Sequence, residues 1–239
     1  MRRPPVIARS LHKWLGLLVG VQVLVWLASG LYMVLLDIDF IHGDTLVRRT
    51  EQTVTVADSS LLSMADLRRR YEGVSQISLR PVMGKSFYAV TAADKRYLLD
   101  PETGEVISPL DEGHAKDIAR FHFNGDAPVA GAELINSNPP QEILTRRLPL
   151  WRIDFDDRYS TSFYIDPYTG ALVTRRHRYW RIFDFMWMLH IMDYEERADA
   201  HNPLLITAQV SGLAFALSGA WLLFYSFSGR RKRRPGDGP

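Results

Sequence analysis

A chain of 239 residues can hold one ordinary domain or two small ones, and its 29 Lys and Arg against 27 Asp and Glu leave a net charge of only +2. It has no cysteine, which excludes disulfides, iron–sulfur clusters, thiolate zinc sites and covalent CxxCH haem attachment. Nine of the bases and one of the acids lie in the two tails, so the remaining 20 bases and 26 acids give the middle about −6.

The first tail, 1–13, carries Arg2, Arg3, Arg9 and Lys13 and no acid. Residues 14–36 (WLGLLVGVQVLVWLASGLYMVLL) carry no charge and are long enough as a helix to cross a ~30 Å hydrocarbon layer. The run exceeds a signal peptide's apolar core of about 7–15 residues, and no small-x-small site follows Leu36, so it reads as an uncleaved anchor.

Two related segments follow, 44–110 and 111–176. Leu99-Asp-Pro-Glu-Thr-Gly-Glu-Val recurs 66 residues later as Ile165-Asp-Pro-Tyr-Thr-Gly-Ala-Leu. Asp-Pro-x-Thr-Gly is turn chemistry: Pro presets φ, Asp accepts from nearby amides, and Gly takes the φ > 0 position. Strand-like residues flank both copies, so each predicts a β-hairpin. In the first segment Ser63–Tyr71 reads as an amphipathic helix, followed by strands at Ser75–Arg80 and Ser86–Thr91. In the second, Asp111–Phe123 reads as a helix, followed by strands at Ala132–Asn136, Glu142–Arg147 and Trp151–Phe155. A helix packed on a small antiparallel sheet is an α+β unit.

These helix-then-sheet units, ending in Leu-Asp-Pro-Glu-Thr-Gly and Ile-Asp-Pro-Tyr-Thr-Gly, resemble PepSY domains. The opening Leu11-His12-Lys13-Trp14-Leu15-Gly16-Leu17 is similar to the entry of PepSY-associated transmembrane proteins. The resemblance implies a bacterial protein with two tandem PepSY-like units between two transmembrane helices. Its relatives include iron-regulated membrane proteins and haem-containing ferric-siderophore reductases. PepSY units elsewhere accompany secreted peptidases. The chain departs from the reductases in having two spans rather than four or more, and no histidine inside either charge-free run.

Residues 177–200 include Tyr179–Tyr194 (YWRIFDFMWMLHIMDY), too short and too charged at its ends to span. It predicts a helix lying on the outer membrane surface or capping the spans, with Trp180 and Trp187 as membrane or partner contacts. The preceding run Arg175-Arg176-His177-Arg178, with Arg181, is expected to meet anionic headgroups or an acidic partner loop. Asn202-Pro203 reads as the N-cap and first residue of a second apolar helix, 204–227, ahead of a basic tail, 228–239. Positive flanks stay in the cytoplasm. That places both termini in the cytoplasm and residues 38–203 outside, which for the bacterial family the chain resembles means an inner membrane with the middle in the periplasm. The basic ends then serve topology and lipid, not nucleic acid.

Among the seven histidines, His12 at the inner mouth reads as an interfacial anchor or as a haem or quinone contact. His42 and His201 are expected near the outer face, as solvated loop residues or as a ligand pair. His190 sits in the aromatic segment. His114 and His122 share a helix without a metal-ligand spacing. Asp154, Asp156 and Asp157 read as a solvated hairpin tip or a loose cation site. No nucleophile elbow, P-loop or dinucleotide fingerprint is present. Gly16 with Gly20, and Gly212 with Gly219, offer close helix contacts. Gln22 and Gln209 are intramembrane polar groups that call for partners.

The expected function is therefore a non-catalytic, membrane-anchored periplasmic interaction module, an accessory, assembly or regulatory subunit, without cofactor. Its partners would be membrane lipid and other membrane subunits or a second copy. The alternative is a haem b electron-transfer subunit using His12, His42, His190 or His201. A peptidase inhibitor acting through sheet edges is the weaker alternative.

Overall fold

The computed structural model describes residues 4–49 and 61–230. The basic residues Arg2, Arg3, Arg231, Lys232, Arg233 and Arg234, and the stretch 50–60, lie outside them. The chain divides into two compact units, Met1–Leu36 with Phe183–Pro239, and Asp37–Ile182.

The first unit is helical. α1 covers Pro4–Leu35, α2 (in the other unit) Ile38–His42, and the last helix, α6, Pro203–Arg230. α1 and α6 are long and apolar enough to cross a membrane, over Arg9–Leu35 and Pro203–Phe224, and only 11% of each window is buried. A core helix of a soluble protein would be mostly buried. The Phe215 ring fills the space beside Gly16, and His12 meets Ser218 and Gly219. Position rises on one helix as it falls on the other, so the pair is antiparallel. The Asn202 side chain accepts from the Leu205 amide at 2.9 Å, capping α6 with Pro203 at its first position, as the sequence predicts.

The other unit is α+β, with two antiparallel sheets. α3 (Met64–Arg70) starts at Ser63, whose hydroxyl accepts from the Asp66 amide. The strands β1 (Val74–Val82), β2 (Lys85–Ala92) and β3 (Lys95–Leu99) follow as a meander. α4 (Glu112–His122) starts at Asp111, which accepts from the His114 amide at 2.9 Å. It precedes a four-stranded meander of β4 (Val129–Ile135), β5 (Leu150–Phe155), β6 (Ser162–Ile165) and β7 (Leu172–Arg176).

The two echoed turns share one geometry. Asp100 accepts from the amides of Glu102 and Thr103, and Asp166 from that of Tyr168. Gly104 and Gly170 take φ of 67° and 63°. Their surroundings differ. The second turn joins a full β6–β7 hairpin, whereas the first returns only as an isolated Leu99–Val106 bridge.

Period-2 alternation places β3 between two cores. Leu99 packs with Leu67, Tyr88 and Val90 under α3. Leu98 and Val82 pack instead with Ile118 of α4 and with Phe123, Phe155 and Phe163. The first sheet is thus covered on one face by its own helix and on the other by the core of the second. Arg96 of β3 also forms an ion pair with Asp166, both almost buried.

Two expectations need correction. Glu142–Arg147 is not a strand: Gln141–Ile143 forms a 3-10 turn. Pro139, Pro140 and Pro149 bracket this short stretch, fix φ and remove the amides a ladder would use. The aromatic helix does not continue through residue 200. α5 spans Arg178–Ile191, and Met192 takes φ 55°. Asp193 then accepts from the amides of Glu195, Glu196, Ala198 and Asp199, and four local bonds favour a loop over another helical turn.

Candidate functional site

The helical unit holds two histidines in matching seats. The Nδ1 of His12 lies 2.9 Å from the Ser218 hydroxyl, which is itself 2.7 Å from the Phe215 carbonyl. A carbonyl only accepts, so the single hydroxyl proton goes there and Ser218 must accept from His12 Nδ1–H. The His12 ring stacks on Phe215 at 4.3 Å, and its Cε1 faces Gly219. The Nδ1 of His190 lies 2.9 Å from the Ser29 hydroxyl, 2.7 Å from the Val25 carbonyl. By the same reasoning His190 donates to Ser29, and its Cε1 faces Gly30. The Trp26 indole N–H donates to the His190 carbonyl at 2.9 Å, fixing the end of α5 on α1. With Nδ1–H given to serine, Nε2 is the ring nitrogen left over in each seat.

The candidate span opens at Arg9, so His12 lies within it, three residues inward from its start. The charge-free run 14–36 itself holds no histidine, and His12 precedes it by two residues. The signal for both seats was the Ser-Gly pair repeated as Ala28-Ser29-Gly30-Leu31 and Leu217-Ser218-Gly219-Ala220. Sequence reasoning missed Ser29, Gly30 and Trp26, because the seats need a helix register across 161 and 206 residues.

The other expected site residues are spread out. His42 is exposed at the end of α2 in the sheet unit, while His201 is exposed in the helical unit, its amide donating to Asp199. Gly16 accommodates Phe215 of its own chain, whereas a Cβ at Gly20 would meet nothing. Gly212 lies under Trp26, and Gln209 is exposed. The side-chain N–H2 of Gln22 is buried without a partner. Trp187 donates to the Arg197 carbonyl, and Trp180 lies under the Arg176 guanidinium.

The basic run after β7 is engaged inside the sheet unit. Arg175 pairs with Asp44, Arg176 donates to the Glu142 carbonyl, and Arg181 grips the Glu142 carboxylate at 2.7 and 3.1 Å. Glu142 also accepts from Tyr164 at 2.5 Å. Burial pushes the Glu142 carboxyl up, but the bonds from Arg181 and Tyr164 outweigh it and hold the group below its ordinary value. Asp154 accepts from Arg152 and Ser162, and Asp157 from Thr161, so the acidic hairpin is internally bonded. Among the described residues no group of three His, Cys, Asp or Glu could hold a metal ion.

His177 is fully buried. Its Nε2 lies 3.0 and 3.1 Å from the carbonyls of Phe40 and Ile41, so this nitrogen carries the proton, while Nδ1 is buried without a partner. Phe40, Tyr159 and Tyr179 surround the ring. Burial pushes its pKa below 6.5, outweighing the two carbonyl bonds, and burial does the same to His122. Below about pH 6.5 the unfolded chain takes up protons that these folded rings refuse, so stability falls as pH falls. Unfolding free energy should be level above about pH 7 and decline below about pH 6.5, less steeply in His122→Asn. Equal stability at pH 7 and pH 5 would contradict the assignment.

Comparison with family models, with curated proteins and with solved structures finds no match to this chain, so no relative assigns its residues a role.

Proposed function

We propose that the chain is a membrane-anchored module, non-catalytic by itself, that serves as an accessory or assembly subunit through its helical unit. The observation that carries this reading is the 11% burial of both apolar windows. Nearly all of that surface is left for lipid or for other helices. The α+β unit, with its twin Asp-Pro-x-Thr-Gly turns, is read as two tandem PepSY-like units, periplasmic in a bacterial inner membrane. Polar clusters in it are spent on one another, as expected of a binding scaffold. The tail charges support cytoplasmic termini. A cysteine at Ser10 should be shielded from an impermeant thiol reagent in whole cells, and one at Ser137 should be labelled. The reverse pattern would invert the topology.

A second reading is favoured by the two histidine seats: a haem b electron-transfer subunit. Each seat offers a donor that such a group takes, because both imidazoles have Nδ1 committed to serine and Nε2 without a hydrogen bond among the described residues. His12 or His190 would hold such a group, each in its own seat because 17 residues of continuous helix separate the two along α1, and the group supplies a reversible one-electron change when bound. His42 and His201 are not in such seats. The detergent-purified chain decides between the readings. Stoichiometric co-purifying membrane subunits and no Soret band support the first, and a Soret band lost in His12→Ala and His190→Ala supports the second.

A further inference from the structure

The chain passes between the helical unit and the sheet unit twice, from Leu36 to Asp37 and from Ile182 to Phe183. Inside the sheet unit the two connections are tied to each other. α2, just after the first passage, is five residues long and ends in carbonyls that no further helical turn can use. β7 and the residue after it supply donors. His177 Nε2–H reaches the carbonyls of Phe40 and Ile41 at 3.0 and 3.1 Å, and Arg175 Nε–H reaches that of His42 at 3.1 Å. Arg175 also pairs with Asp44, just past α2. Gly43 permits the approach, since a Cβ there would stand 2.9 Å from Arg175 Cγ.

At the centre of this tie sits an ionisable ring in an aromatic box. Phe40, Tyr159 and Tyr179 contact one another and His177, with centroids 5.2, 6.3 and 6.3 Å from the imidazole. The ring has no solvent exposure. Nε2–H is committed, so a second proton can enter only at Nδ1, which is buried without an acceptor. The surrounding charges do not provide one. Asp157 favours a charged ring, but its carboxylate is held by the amide and hydroxyl of Thr161. Arg181 opposes a charged ring, Arg176 adds a cation on the same strand, and Asp44 is taken by Arg175. Asp39 and His42 of α2, Arg158 beside Tyr159, and Arg178 of α5 are exposed.

The ring can therefore accept that proton only by leaving its seat. Leaving withdraws the donor from Phe40 and Ile41 and opens the aromatic box. We propose that His177 is a proton-sensitive clasp, which when neutral binds the two connections together and when charged lets α2 and the start of α5 part. The closed form refuses a proton that the open form accepts near pH 6.5, so the clasp is shut above about pH 6.5 and loosens as pH falls below it. One proton changes the opening equilibrium by at most about tenfold per pH unit. The join, rather than either unit, is then the part that responds to acid.

Hydrogen exchange of the full chain in detergent micelles, taken relative to intrinsic rates, tests this between about pH 7.5 and about pH 5. Peptides covering 37–46 and 177–182 should open up to about thirtyfold more at the lower pH, while β5 and β6 keep their protection. His177→Gln puts an amide donor where Nε2 stood and takes no proton in this range, so it should hold the tie closed at both pH values. His122→Asn, at the other histidine that burial affects, should respond as wild type does. Side-chain 15N resonances of histidine in the wild-type chain decide the matter even if His177→Gln does not fold. Protonation of His177 should coincide with loss of protection at 37–46. A ring that becomes charged while 37–46 stays protected would overturn the clasp, and so would the same pH response in folded His177→Gln as in wild type.

Discussion

Glu142→Ala is expected to destabilise the sheet unit by about 3 kcal/mol. The carboxylate is 10% exposed and holds Arg181 through two nitrogens and Tyr164 through its hydroxyl. Removing it leaves the phenol without its acceptor and the guanidinium without its counter-charge, with only the Ser160 carbonyl and the Ser162 hydroxyl still accepting from Arg181. Breaking a buried pair from one side costs ~3–5 kcal/mol, and the low end applies because Arg181 keeps a third of its side chain in solvent. Tyr164→Phe removes only one hydroxyl bond and should cost about 1 kcal/mol. The two substitutions share a partner, so the double variant should fall short of their sum. Denaturant unfolding of the full chain measures all three. A Glu142→Ala protein within about 1 kcal/mol of wild type would mean that the pair is dispensable.

The second large effect is Gly170→Val, at about 3 kcal/mol. Gly170 has φ 63°, and an added Cβ would lie 3.2 Å from both methyls of Val82, near Ile118. Backbone strain and an overfilled core add there. Gly104 has the same backbone, φ 67°, but its added Cβ would meet the ends of the Leu62 and Arg70 side chains. Flexible tips can move aside, so Gly104→Val should cost about half as much, mostly backbone strain. Equal effects at both positions would show that the surroundings do not matter. No effect at either would remove the turns from the list of structural determinants.

Much of the framework was legible because its causes are local. Charge-free runs mark α1 and α6. Ser63, Asp111 and Asn202 cap helices by bonding amides three residues on, and Asp-Pro-x-Thr-Gly states its own turn. The errors came where a distant or unusual partner decides. Gln141–Ile143 has strand-like neighbours, but its prolines forbid a ladder. Residues 192–200 look helical until Asp193 captures four amides. His12 and His190 could be named from sequence, and Ser218 as a small residue at a helix contact, but neither the pairing of His12 with Ser218 nor Ser29 beneath His190. Gly16 was expected to allow a close helix contact, and it makes room for Phe215 of α6.

The two-sided burial of β3 has a consequence for how the chain comes to be folded. Synthesis delivers the first sheet before the second. At that moment α3 can cover Leu99, but Leu98 and Val82 face solvent, and Arg96 stands without Asp166, seventy residues downstream. An early product ending near Leu110 is therefore an unfinished surface with a free apolar face, the kind of species that aggregates or recruits a chaperone. Completion waits for α4 and β6. Hydrogen exchange should then report β3 and β6 opening together, as one cooperative block rather than as two neighbours.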